Sequence, residues 1–306
     1  MSQIASTYKA LDVEETVDVW FYRPLGYVIA RACIPLGITP NVVTIVSILI
    51  GVTGGHLLWY RDASLNAWGF ACWIAADILD STDGQIARMT NHKSKLGRIL
   101  DGFGGNLIFT SMYLHLAARM AATYPDVPGY LFLLLVLAGG ISHSFQSALA
   151  DYYRNAYLRF VVDPLRSELD GSEDVRREYQ ALSFARQPVK KIMMRVYLNY
   201  TVQQESISRN FQVLRKKAGS TFNGSFPEWF SSEYRRLNLP MMKYYAILTT
   251  NTRMFVMMGA VLLDIPWVYF AVEIVAINAV LIYVIRRQEG VSAGLSEEID
   301  ARRVAA

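Results

Sequence analysis

Residues 78–102 read ILDSTDGQIARMTNHKSKLGRILDG. Asp80 and Asp83 are three residues apart, so on a helix they share a face. Asp101 opens the next apolar stretch on the same side. Apolar blocks at 65–79 and 102–122 flank the run, which places its acids at the ends of two membrane-crossing helices. Ionisable groups at that depth are costly unless paired or liganded. Three carboxylates converging from two helix ends make an oxygen-rich site suited to Mg²⁺ or Mn²⁺, hard cations that usually bridge phosphates. Gly84 leaves room for a ligand to approach the backbone, and Ala87 keeps that face small. Arg88 adds a phosphate-binding guanidinium, and Gly97 allows close approach at the foot of the second helix.

The membrane reading rests on composition. Of 306 residues, 53% are hydrophobic and 18% charged, against about a quarter charged in an ordinary soluble domain. The apolar excess sits in blocks near 41–60, 65–79, 102–122, 128–150, 246–264 and 266–285, most of them close to the roughly 20 residues that cross a bilayer core. These predict an all-α integral membrane protein with six transmembrane helices. The start, MSQIASTYKALDVEETVD, is polar and acidic, without the apolar core of a cleavable signal. Cys33 and Cys72 lie in apolar surroundings and read as buried small side chains.

Charge placement gives an orientation. Lys and Arg number three in 1–40, four in 81–100, sixteen in 151–245 and four in 286–306. The outer connections hold only Arg61, while Arg119 and Arg253 fall within spans. Such asymmetry predicts cytoplasmic termini and a cytoplasmic site.

The chain then divides as follows. Residues 1–40 form a cytoplasmic N-terminus with an amphipathic helix over 10–34 lying at the membrane surface, and Pro40 in GITPNVVT starts the first span. Residues 41–150 carry spans one to four. Residues 151–245 form a cytoplasmic helical insertion, 246–286 carry spans five and six, and 287–306 are a polar tail expected to fray. Within the insertion, Val189, Ile192, Met193, Val196, Tyr197 and Tyr200 recur at helical spacing beside Lys190, Lys191 and Arg195. Two readings stay open there: a basic helix that grips anionic headgroups or helps to seat an anionic substrate, or a hairpin packed on the protein's inner face.

The pattern D-x2-D-G-x2-A-R-x8-G-x3-D between two hydrophobic spans resembles the signature of the CDP-alcohol phosphotransferase family. The N-terminal surface helix and the Pro-Asn turn before the first span are similar as well, so the resemblance covers residues 10–150 and 246–286. It implies that Asp80, Asp83 and Asp101 hold Mg²⁺ or Mn²⁺, which holds the pyrophosphate of a CDP-linked alcohol such as CDP-diacylglycerol. It implies that Gly84, Ala87, Arg88 and Gly97 border the nucleotide. The reaction implied is attack by an acceptor alcohol, polyol or lipid, with expulsion of CMP, in phospholipid or sphingolipid synthesis. A homodimer embedded in membrane lipids is also implied, with no nucleic-acid partner.

One position departs from the family pattern, which continues x3-D and often assigns that aspartate as the base. Here it is Gly105, which can neither take a proton nor ligate metal through a side chain. Three readings follow: the base has moved, the protein is a relative that only binds nucleotide or lipid, or it is an inactivated variant. Asp77, one turn above Asp80, is one substitute. His143 in the fourth span is another, with Ser147 and Asp151 at i+4 and i+8, since histidine suits proton transfer near neutral pH. Glu273 and Arg253 read first as a salt bridge between spans; Glu273 orienting His143 is the sharper alternative. His115 reads as a packed histidine. A transporter is disfavoured because the acids cluster at a membrane face and not at the midplane.

Overall fold

The computed structural model describes residues 10–92 and 95–304, so the N-terminal residues 1–9, two positions inside the motif run (93 and 94) and the last two of the tail lie outside the described residues. Every regular element among them is helical. The α-helices are α1 (Arg23–Cys33), α2 (Pro40–Leu57), α3 (Ala63–Met89), α4 (Lys95–Thr123), α5 (Gly129–Tyr157), α6 (Ser172–Ala181), α7 (Pro188–Ile207), α8 (Arg209–Phe222), α9 (Glu228–Asn238), α10 (Met242–Ile247), α11 (Thr250–Leu262), α12 (Pro266–Ala271) and α13 (Asn278–Val304). Short π-helical turns precede α1, follow α5 and join α12 to α13.

Among the described residues, three helical stretches are long and apolar enough to cross a membrane: Pro40–Leu57, Gly129–Val162 and Pro266–Val304. The blocks at 65–79 and 102–122 lie inside the long helices α3 and α4, where Asn66, Asp77, Asp80 and Arg119 dilute the apolar run. The block at 246–264 is broken between α10 and α11, leaving a helix of 13 residues.

The chain divides into two compact units, and the boundaries fall inside helices. Among the described residues the first comprises 14–142 and 253–274, and the second comprises 10–13, 143–252 and 275–304. In the first unit α2 is held tightly against α3 and α4 by glycine. A Cβ on Gly54 would stand 2.7 Å from the Gly69 carbonyl oxygen, and one on Gly55 would stand 2.9 Å from Met112 N. Small residues let membrane helices approach backbone to backbone. Ser47 Oγ, buried in this contact, donates to Ala76 O at 2.9 Å. The core beneath is aromatic and sulfur-rich, with Trp73, Phe109, Met112, Tyr113, Tyr269 and Phe270 buried together.

Local chemistry sets the helix ends. Thr39 is extended and Pro40 occupies the first turn of α2, as a residue without an N–H can. Asp62 caps α3 by accepting from Leu65 N at 2.9 Å. At the far end Asn91 is left-handed (φ +56°) and His92 N donates to Ala87 O at 3.0 Å, a glycine-type helix stop that turns the chain back toward α4. Asp264 is also left-handed, at the α11–α12 turn. Its carboxylate is gripped by Arg61 and by Arg119 Nη2 at 2.7 Å. Arg119, placed within a span by sequence, is buried there and also donates to Leu58 O, Tyr60 O and Asn66 Oδ1.

α1 lies on α3 through Gly26, whose Cβ position is 3.0 Å from Ser81 Oγ, and through a cluster of Ala30, Val43 and Ile86. Its other face exposes Leu25 and Val28, preceded by exposed Trp20 and Phe21. In the second unit α13 does not stop near residue 285 but continues as helix through Val304, and the tail expected to fray is part of it. Val284, Val291, Leu295 and Ile299 recur at helical steps and are buried, giving one apolar stripe that packs on α8. Cys33 and Cys72 are half-buried free thiols rather than fully buried ones.

Candidate metal and nucleotide site

The motif run is helical well past the apolar block. α3 continues to Met89, so Asp80, Gly84 and Ala87 follow one another at helical steps along one face, with Asp83 beside them. After the Asn91 turn, α4 starts at Lys95 and presents Gly97 and Asp101 one turn apart. These two helices bring Asp80, Asp83 and Asp101 together: one carboxylate oxygen from each lies within 4.8 Å of the others. Oxygens sharing one cation at about 2.1–2.4 Å stand roughly 3–4.8 Å apart. The three acids therefore fit a single hard divalent ion. Asp80 is exposed, Asp101 half-exposed and Asp83 buried, so the cluster has one fixed member and an open side.

Asp83 is the anchored member. Thr44 of α2 donates its hydroxyl to Asp83 Oδ2, and Thr44 is itself buried. Four residues past the 65–79 block, the Asp83 carboxyl is pushed up to about 8, chiefly by burial and next by the neighbouring Asp80 carboxylate, with the Thr44 bond opposing the shift. Two acids held this close repel unless a cation or proton sits with them. The Arg88 guanidinium folds back over Gly84, where a Cβ would stand 3.1 Å from its Nη2. It is one of the groups that favour ionised Asp83. Gln85, an unassigned position of the motif, is buried and donates to Arg23 O at 2.8 Å, tying α1 to the motif helix.

Thr44, Ser47 and Gln85 were not legible as site-supporting residues from the sequence. The only signal for Thr44 was its place four residues after Pro40 in the turn GITPNVVT. Gly105 is exposed on α4, and no heavy atom lies within 4 Å of a Cβ built there. The remaining predicted residues lie elsewhere. Glu273, on the π-helical turn before α13, accepts from Arg253 Nε at 3.1 Å, and both side chains are fully buried. The Arg253–Glu273 salt bridge favoured by sequence is therefore present. His143 is buried on α5 and belongs to the second unit, whereas the three carboxylates and Glu273 belong to the first. His115 is held by Ser111 O at 2.7 Å and faces His56 Nδ1 at 3.1 Å.

Comparison with known proteins points the same way as the carboxylates. Residues 37–157 match the family model for CDP-alcohol phosphatidyltransferase. An uncharacterized protein of Aquifex aeolicus is 29% identical over 113 residues, covering 35% of this chain and 54% of that one. A CDP-diacylglycerol–serine O-phosphatidyltransferase of Helicobacter pylori is 38% identical over 77 residues, covering 24% of this chain and 30% of that one. The chain thus spans about half or less of the length of these curated relatives. No solved structure matches it. The stretch matched by the CDP-alcohol phosphatidyltransferase family model, residues 37–157, contains all three clustered carboxylates.

Proposed function

We propose that the protein transfers a phospho-alcohol group from a CDP-linked alcohol to an acceptor hydroxyl, releasing CMP, in phospholipid or sphingolipid synthesis. The observation that carries the reading is the convergence of Asp80, Asp83 and Asp101 from α3 and α4 inside the family-matched segment. In this reading those three residues hold Mg²⁺ or Mn²⁺, whose chemistry is to neutralise the pyrophosphate charge and stabilise the departing CMP. Arg88 supplies a second positive group to the phosphates. Gly84, Ala87 and Gly97 keep the wall small enough for the nucleotide to lie against the backbone. The new bond joins the acceptor oxygen to the phosphorus distal from cytidine. The bond that breaks joins that phosphorus to the bridging oxygen, which leaves with CMP. Gly105 offers no carboxylate, so the acceptor's proton needs another group, and His143, with Glu273, is the candidate that the sequence supplies and that mutation tests.

The protein acts in this reading as a six-span, multi-pass membrane dimer with both termini and the site cytoplasmic. The Lys and Arg asymmetry supports that orientation, as does the exposed Trp20–Val28 face ahead of α2 for an interfacial helix. Cysteines placed at exposed His92 and Ser220, in a chain lacking Cys33 and Cys72, are expected to react with an impermeant reagent only in inverted vesicles. Labelling of both in intact cells reverses the map.

The direct test is CMP release by purified protein in nanodiscs, with CDP-diacylglycerol or a CDP-linked headgroup as donor and a panel of polyol and lipid acceptors. Release that requires Mg²⁺ or Mn²⁺ and stops with chelator is expected. Gly105 favours one rival, a family member that binds nucleotide or lipid without turnover. Metal-dependent donor binding with no CMP release from any acceptor selects it.

A further inference from the structure

Helix α7 of the second unit is apolar on two faces. Met194, Leu198 and Thr201 are buried on one, where neighbouring Gln204 donates to Ala148 O at 2.8 Å. On the other, Val189, Ile192 and Val196 are 69%, 54% and 44% exposed, and Val202 is exposed further along. Val189, Ile192 and Val196, three and four residues apart, draw one stripe about 10 Å long at 1.5 Å per residue, and Val202, six residues on, falls outside it. Phe184, in the turn before the helix, is another exposed apolar ring. A helix with one packed face and a second apolar face toward solvent is not accounted for by folding of this unit, and such a surface marks a contact.

The charges beside the stripe select the contact. From Tyr179 to Gln204 the chain has no Asp or Glu, but it has Arg186, Lys190, Lys191 and Arg195. Lys191 is used within the unit, donating to Leu182 O and lying over the Tyr179 ring at 5.0 Å. Arg195 also lies over the Tyr179 ring, at 5.7 Å, but it and Arg186 are exposed and Lys190 is half-exposed. An apolar stripe whose own helix supplies bases and, up to Gln204, no acid is complementary to a surface that is apolar beneath and densely negative above. We propose that this face of α7 docks into an anionic bilayer leaflet, with the Val189–Ile192–Val196 stripe at the acyl boundary and Arg186, Lys190 and Arg195 on headgroup phosphates. A polar protein partner would match the bases and leave the stripe in water. A neutral bilayer would match the stripe alone. None of these residues lies in the 80–101 motif, so the proposal stands apart from the transferase reading.

The test uses the full chain with Cys33 and Cys72 replaced by alanine and Ile192→Cys carrying an environment-sensitive fluorophore. It is placed in nanodiscs of phosphatidylcholine, with or without a third phosphatidylglycerol, containing acyl-chain spin-labelled lipid as quencher. Blue-shifted emission and strong quenching are expected in the anionic discs and much weaker quenching in the neutral ones. Lys190→Glu with Arg195→Glu should reduce quenching in anionic discs by at least fivefold, since each base near such a surface contributes about fivefold in affinity. The reversed-charge protein is checked for an unchanged thermal transition; in a second variant, glutamine replaces the two bases and a smaller loss of the same sign is expected. Asp83→Asn should leave the quenching unchanged. Water-like emission in both discs, or equal quenching in both, overturns the proposal. Blue-shifted emission without lipid quenching, together with a disulfide cross-link between unlabelled copies of the Ile192→Cys chain, assigns the face to a second chain and also overturns it.

Discussion

Replacing Asp83 by asparagine is expected to reduce Mg²⁺-dependent binding of a CDP-alcohol by at least about 100-fold while leaving the protein folded and membrane-inserted. Asparagine has nearly the same shape and its carbonyl still accepts from Thr44, so the α2–α3 contact survives. What is lost is a charge and a ligand oxygen from a cluster whose three members lie within 4.8 Å, and affinity for a hard cation depends on both. Thr44→Val gives a graded companion result. It keeps the buried volume but removes the hydroxyl that orients Asp83, and loss of such an outer partner typically weakens a metal site about 10- to 100-fold. Thr44→Ser should retain most of the affinity. Calorimetry on detergent-solubilised protein, with the donor titrated at fixed Mg²⁺ and again with chelator, reads all three variants. Donor binding by Asp83→Asn at the wild-type level, or binding that persists in chelator, removes the metal role of this cluster.

His143→Ala is expected to lower CMP release by about 10²–10⁴-fold, the usual contribution of a positioned proton acceptor, while donor affinity changes little. Gly105→Asp in that background is expected to recover part of the rate, because it returns a carboxylate to the position where the family pattern has one. The substitution is sterically open: Gly105 is exposed and nothing lies within 4 Å of its Cβ position. It also replaces the poorest non-proline helix former in the middle of α4, so a loss of fold is not expected from it. Measured together, donor binding and CMP release separate the outcomes. Full turnover in His143→Ala eliminates the histidine. Equal loss of binding and turnover marks His143 as a packing residue, fitting its burial on α5. Glu273→Gln divides the remaining roles, because Glu273 is paired with buried Arg253. Breaking that pair by removing one charge usually destabilises by about 3–5 kcal/mol. A lowered thermal transition with normal CMP release in the surviving protein assigns Glu273 to the fold alone.

The sequence by itself determined the helical class, the apolar character, the start of α2 at Pro40 and the three acids that meet. It also paired Arg253 with Glu273. These follow from local rules: helical spacing puts Asp80 and Asp83 on one face, and a charge in an apolar run needs an opposite one. Only the tertiary structure decided that Thr44, 39 residues before Asp83, fixes the buried carboxylate, that Gln85 ties the motif to α1, and that Arg119 grips Asp264 at a left-handed turn. It decided as well that α3 runs unbroken through the motif and that α13 runs to Val304 on α8. Residues far apart in the chain meet according to how closely two backbones can pack. Here that distance is set by glycines such as Gly54 and Gly55, whose missing side chains allow the approach that seats Thr44 on Asp83.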